Sequence, residues 1–238
     1  MPKRLATPAL QFAPELLLQA QPVRIAFFDV DGVLTDGGLH FSEQGETTKR
    51  FNTLDGHGIK LLQKAGIVPA VITGRDSAPL RLRLKQLGVQ HAVYGTEDKL
   101  PAAQAILDSL GLAWSQAAMM GDDWPDLPVM QRCALACAPC NAHPENLAVA
   151  DFVTRAQGGQ GAVRELCDLL LVASGHYRTL LETYLAKNLC SVRGSMPPST
   201  CPSCSWPCWP WGPGGWCAMR PSRCRFRRKA RSRMTRTM

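Results

Sequence analysis

Residues 191–238 contain no aspartate or glutamate, and after Val192 there is no valine, isoleucine or leucine. A segment without branched aliphatic side chains cannot assemble a conventional core, so this tail is expected to be disordered. It also lacks histidine, so Cys201-x-x-Cys204 with Cys208, Cys217 and Cys224 fits no standard zinc site. The rest of the chain lacks a long apolar run. Leu16 to Leu18 is short and flanked by Pro14 and Glu15, which excludes a signal peptide, and nothing approaches a membrane span. A cytoplasmic protein with no membrane partner is expected.

The charge balance divides at the same point. Residues 1–190 carry 17 Lys and Arg against 19 Asp and Glu, a net of −2, while residues 191–238 carry 10 Lys and Arg and no acid, a net of +10. The formal +8 of the chain is therefore a property of its tail. The Arg223 to Arg236 cluster could neutralise phosphates without sequence preference. The six cysteines, four tryptophans and seven prolines of residues 190–238 suit out-of-frame translation of GC-rich coding sequence better, so nucleic acid is not an expected partner. The expected organisation is an extension over 1–21, one α/β domain over 22–175, a helical segment over 176–189 and the tail over 190–238. Cys133, Cys137, Cys140 and Cys167 sit among apolar residues and read as reduced core thiols.

Within the domain, four short motifs follow one another, three of them at the ends of apolar runs. Ile25 to Phe28 reads as a buried strand that delivers Asp29 and Asp31 into the glycine-bearing stretch Gly32-Val33-Leu34-Thr35-Asp36-Gly37. Val68 to Ile72 ends on Thr73-Gly74-Arg75, Lys99 opens a helical pattern, and Ala117 to Met120 ends on Gly121-Asp122-Asp123-Trp124-Pro125-Asp126. In an open α/β sheet, ligands bind beyond the carboxyl ends of the strands. Singly, each motif is weak: an isolated Asp-x-Asp is usually solvated, and a lone lysine usually lies on the surface. In this order, with three at strand ends, they make a strong signal together.

This order resembles the phosphatases of the haloacid dehalogenase superfamily, over roughly residues 23–171. The resemblance implies a doubly wound parallel sheet with helices on both faces. It makes Asp29 a nucleophile that forms an aspartyl-phosphate, and Asp31 the acid that protonates the leaving oxygen and then activates water. Two carboxyls this close should have pKa values pushed apart. Thr73 and Lys99 would hold the phosphoryl oxygens. Mg²⁺ takes oxygen ligands and few carboxylates; Asp29, Asp122 and the Asp31 backbone carbonyl are its implied ligands. Asp123 and Asp126 would orient the loop.

The spacings of 44, 26 and 23 residues from Asp29 to Thr73, Lys99 and Asp122 in turn leave no room for a separate cap domain. Leu39 and Phe41 alternate before a turn at Ser42 to Gly45, and Thr47 to Phe51 returns, which reads as a small β-hairpin cap. Small-cap relatives commonly close their sites with a neighbouring subunit, which implies a homo-oligomer, a tetramer by resemblance.

Asp29 to Gly37, Phe51 to Ile59, Asp151 to Arg155 and Gly158 to Glu165 resemble, within the superfamily, the phosphatases that act on 3-deoxy-D-manno-octulosonate 8-phosphate. That is an acidic sugar phosphate of lipopolysaccharide precursor synthesis. Asn52, Thr53, Leu54, Asp55, Gly56, Lys60, Arg75 and Arg83 match family substrate-binding positions, with Asp31 and Lys99. Lys60 and Arg83 also read almost as readily as solvated helix-face charges, and His57 as loop structure. A phosphatase for a nine-carbon sugar acid 9-phosphate, and a non-catalytic basic-tailed binding protein on the same fold, stay open as alternatives.

Overall fold

The computed structural model describes residues 10–191, with side chains described through residue 186. The segment from 192 on, with its expected disorder and its zinc and nucleic-acid readings, lies outside the described residues. Helix α1 (Pro14–Ala20) leads into β1 (Ile25–Phe28), followed by the antiparallel pair β2 (His40–Ser42) and β3 (Gly45–Thr48). Then come α2 (Thr53–Lys64), β4 (Val68–Ile72), α3 (Ala78–Leu87), β5 (His91–Val93), α4 (Lys99–Leu110), β6 (Ala117–Met120) and α5 (Leu127–Met130). The chain continues through β7 (Leu135–Ala138), α6 (Pro144–Val149), β8 (Phe152–Val153), α7 (Ala162–Ala173) and α8 (His176–Ser191).

Among the described residues, β1 and β4 to β8 form one parallel sheet in the order β5-β4-β1-β6-β7-β8. Parallel strands buried on both faces should be apolar throughout, and β1, β6 and β7 are buried at every position. Successive side chains still point to opposite faces. Ile25, Phe27, Ala70, Ile72, Ala117 and Met119 pack with α4 and α5. Ala26, Phe28, Val71, Ala118 and Met120 pack with α1, α2, α3 and α7. The expected doubly wound sheet is therefore observed. Its order reverses at β1, with β4 on one side and β6 on the other, and the crevice at their carboxyl ends is the topological switch point.

The segment read as an extension contains α1, whose Leu16, Leu17 and Ala20 join the core. His57 lies in α2 rather than a loop, its ring 5.5 Å from that of Tyr184 on α8. Among the four thiols, Cys137 and Cys167 are buried, Cys133 is half-buried and Cys140 is exposed, which corrects the core reading for Cys140. Among the described residues, no helix is long and apolar enough to cross a membrane.

The loop ahead of α7 seats on the loop after β1. Gly159 N–H donates to Val33 O at 2.9 Å, and a Cβ built on Gly158 would lie 1.6 Å from Gly32 O. Gly158→Ala is expected to push the Asp29–Asp31 loop out of place. The overpacking should cost about 1–3 kcal/mol or more, visible as a lowered unfolding temperature together with reduced turnover. Unchanged values of both would show that the two loops separate freely.

Candidate active site

Strand ends bring the site together. The Asp29 N–H donates to Met120 O at 3.1 Å, which extends the β1–β6 pairing by one residue and fixes where the Asp29 side chain leaves the sheet. Gly32, at φ +93°, turns the chain back; a Cβ there would stand 1.9 Å from Asp122 Oδ2, so the turn and the acidic loop are in direct contact. Thr73 follows β4 and is buried, and its Oγ1 accepts from the Arg75 N–H at 3.2 Å. Lys99 is the first residue of α4, with a buried side chain that donates to Asp29 Oδ1 and Asp126 Oδ1, both at 2.6 Å. A cavity of about 420 Å³ is lined by Asp29, Asp31, Thr73, Gly74, Arg75, Glu97, Lys99, Asp122, Asp123, Pro125 and Asp126.

The loop after β6 is organised by its last acid. Asp126 Oδ2 accepts from the N–H groups of Asp122 and Asp123, at 3.0 and 3.4 Å, while its Oδ1 is taken by Lys99. Asp123 caps the following turn by accepting from Trp124 N–H at 2.8 Å. Asp126 is thus held through both oxygens, and it lines the cavity beside Asp29 and Asp122.

Three carboxylates, Asp29, Asp122 and Asp126, offer oxygens within 4.8 Å of one another, against one ammonium, that of Lys99. Burial, then the charge of Asp126, pushes the Asp29 carboxyl up to about 6. Burial, with Asp29 and Asp126 beside it, pushes Asp122 up to about 8. Burial also raises Asp126, against the pull of Lys99. For Lys99, burial works against the ammonium, and the charges of Asp29 and Asp126 outweigh it, so its pKa stands above the ordinary lysine value. Asp122 Oδ1 is buried without a hydrogen-bond partner among the described residues. A cluster short of positive charge, all oxygen donors and with an orphaned carboxylate oxygen, fits a hard divalent cation.

The cavity therefore collects Asp29, Asp31, Thr73, Arg75, Lys99 and Asp122. It does not collect the remaining candidates. Asn52 caps α2, accepting from Leu54 N–H at 2.8 Å, and Thr53 to Gly56 form the first turn of that helix rather than a free turn. The Asp55 carboxylate is enclosed, with Oδ1 accepting from Arg164 N–H at 2.8 Å, and burial pushes it up to about 6. That bond ties α2 to the start of α7. Arg83 donates to Asn52 O at 3.4 Å and lines a separate small cavity with Asn52, Asp55 and Gly56. Lys60 lies exposed on α2.

One residue that touches the site was not legible in the sequence. Lys49, just after β3, makes ion pairs with Asp31 Oδ1 and, at 2.7 Å, with Glu46 Oε1. Nothing in its local pattern separates it from a solvated hairpin charge; only the return of the hairpin toward Asp31 could have suggested it. Arg75 Nε lies 3.9 Å from the other Asp31 oxygen.

A family profile described as haloacid dehalogenase-like hydrolase matches residues 95–166. The chain is 42 % identical over 163 residues to the 3-deoxy-D-manno-octulosonate 8-phosphate phosphatase KdsC of Salmonella typhimurium, an overlap covering 68 % of this chain and 87 % of that protein. It is similar to the crystal structure of 3-deoxy-D-manno-octulosonate 8-phosphate phosphatase from Moraxella catarrhalis in complex with magnesium ion, phosphate ion and KDO. That match has 37 % identity and a TM-score of 0.70, over 71 % of this chain and 98 % of that one. The cobalt-bound deoxy-D-mannose-octulosonate 8-phosphate phosphatase of Haemophilus influenzae matches at 38 % identity and a TM-score of 0.65, over 67 % and 93 %. With this similarity along most of each relative, and a switch point that gathers the acids, the threonine and the lysine expected there, the chain belongs to the 3-deoxy-D-manno-octulosonate 8-phosphate phosphatase family of haloacid dehalogenase-like hydrolases.

Proposed function

We infer that the protein is a phosphoric monoester hydrolase that releases phosphate from 3-deoxy-D-manno-octulosonate 8-phosphate, in lipopolysaccharide precursor synthesis. The observation that carries this reading is the pair Asp29 and Asp31 in one cavity with Thr73, Lys99 and Asp122. The Asp29 carboxylate attacks phosphorus and forms an aspartyl-phosphate. Asp31 gives its proton to the leaving alkoxide, a poor leaving group that needs one. It then takes a proton from the water that opens the acyl phosphate. Thr73 Oγ1 and Lys99 Nζ donate to the phosphoryl oxygens, where charge gathers in the transition state. Arg75 stands at the cavity mouth, suited to grip a carboxylate of the sugar acid.

The reaction uses a divalent metal ion, and we propose Mg²⁺, held by the Asp29 and Asp122 carboxylates and the Asp31 backbone carbonyl. When bound, it supplies positive charge to the phosphoryl group. We propose further that the protein is a homotetramer. Asn52, Thr53, Leu54, Gly56, Lys60 and Arg83 would then serve substrate at the site of a neighbouring copy, as the off-cavity position of Arg83 favours.

Phosphate release across a panel of esters tests the reading. The eight-carbon acid phosphate should be turned over faster than a nine-carbon sugar acid 9-phosphate and far faster than a neutral hexose phosphate. Treatment with EDTA should stop the reaction and added Mg²⁺ should restore it. Equal rates on neutral sugars would remove the substrate assignment, and a full rate after metal removal would remove the metal.

A further inference from the structure

The Lys49 side chain is 1 % exposed, although Thr47 and Thr48 before it are exposed. Burying an ammonium is costly unless it is paired. Here two carboxylates, Asp31 and Glu46, hold it. The next residue, Arg50, reaches Asp36 Oδ2 at 3.1 Å and Gln160 Oε1 at 3.4 Å. Consecutive cations at the end of the hairpin therefore clamp both ends of the Asp31–Asp36 loop. Lys49 pins Oδ1 of Asp31, and Oδ2 is left on the side of Arg75, which lines the cavity.

We propose that Lys49 is a positioning residue that fixes the Asp31 carboxyl for proton transfer, and that through it the hairpin sets the geometry of the acid. The inference rests on the phosphatase reading. As the Asp29 oxygen bonds to phosphorus and the bond from phosphorus to the leaving oxygen breaks, the proton on Asp31 passes to that oxygen. The transfer succeeds only if Asp31 is held within reach; misplacement of about 1 Å can cost on the order of 10²-fold.

The leaving group provides the test. An alkyl phosphate needs the proton, whereas p-nitrophenyl phosphate departs as a stable phenolate. The ratio kcat/KM reports the steps up to the phospho-enzyme and so isolates the acid role. Lys49→Met should lower kcat/KM for the acidic sugar phosphate by roughly 10- to 100-fold and for p-nitrophenyl phosphate by less than about threefold. KM should change little. Lys49→Arg should recover most of the loss, and Asp31→Asn should show the same bias between the esters. Glu46→Gln, which frees the second anchor of Lys49, should show that bias at smaller size and serves if Lys49→Met does not fold. Equal losses on both esters, or no loss, would overturn the positioning role while leaving the phosphatase reading intact. A wild-type protein inactive on both esters would overturn that reading, and this one with it.

Discussion

Asp29→Asn is expected to lose phosphate release by about 10⁴-fold or more while keeping the fold. The size follows from removing a covalent nucleophile, whose neighbours act as a unit and cannot work without it. Retention of the fold follows from the electrostatics. Burial and Asp126 already push the Asp29 carboxyl up to about 6, so a neutral amide of the same shape relieves a like-charge contact. Lys99 keeps Asp126 as its partner at 2.6 Å. The unfolding temperature should be unchanged or raised. Substantial residual turnover would sink the aspartyl-phosphate route, and a collapsed fold would show that Asp29 is structural.

Lys99→Met should damage both activity and stability. Its ammonium is the one protein cation bonded to Asp29 and Asp126 among the described hydrogen bonds. Removing one partner of a buried ion pair costs about 3–5 kcal/mol, because the other charge is left uncompensated. Turnover should fall by roughly 10²- to 10³-fold or more, the size expected when one stabiliser of transition-state charge is lost. The sign of the pH dependence separates this from a packing defect. Without Lys99, the Asp29 and Asp126 carboxyls rise further above their unfolded values. An acid raised in the folded state destabilises it as pH climbs from the unfolded value, near 3.8, through the folded one. The metal-free variant should therefore be least stable above pH 6 and regain stability on acidification. A deficit independent of pH would assign Lys99 to packing alone.

The doubly wound sheet could be read from the sequence because its strands are apolar at consecutive positions and end on chemically distinctive residues. Ile25 to Phe28 followed by Asp29, Val68 to Ile72 followed by Thr73, and Ala117 to Met120 followed by Asp122 carry both signals at once. The start of α2 was obscured by its composition. Asn-Thr-Leu-Asp-Gly-His-Gly resembles a turn, since glycine is a poor helix former. Tertiary packing reverses that preference: a Cβ on Gly56 would stand 2.3 Å from Arg83 Nη2, and one on Gly58 would stand 3.0 Å from Cys167 Cβ. These glycines let α2 lie close to its neighbours, and Asp55 then ties the helix to α7. Lys49 was hidden for a different reason. Its partners lie 3 and 18 residues before it, and the longer pair forms only once the hairpin folds back over the loop after β1.

The stereochemical course at phosphorus tests the central claim most directly. With a chiral, isotopically labelled phosphate ester and an alcohol acceptor in place of water, transfer through Asp29 involves two in-line displacements, and the configuration at phosphorus should be retained. Inversion would mean one displacement by the acceptor itself, and would contradict the assignment of Asp29 as the nucleophile.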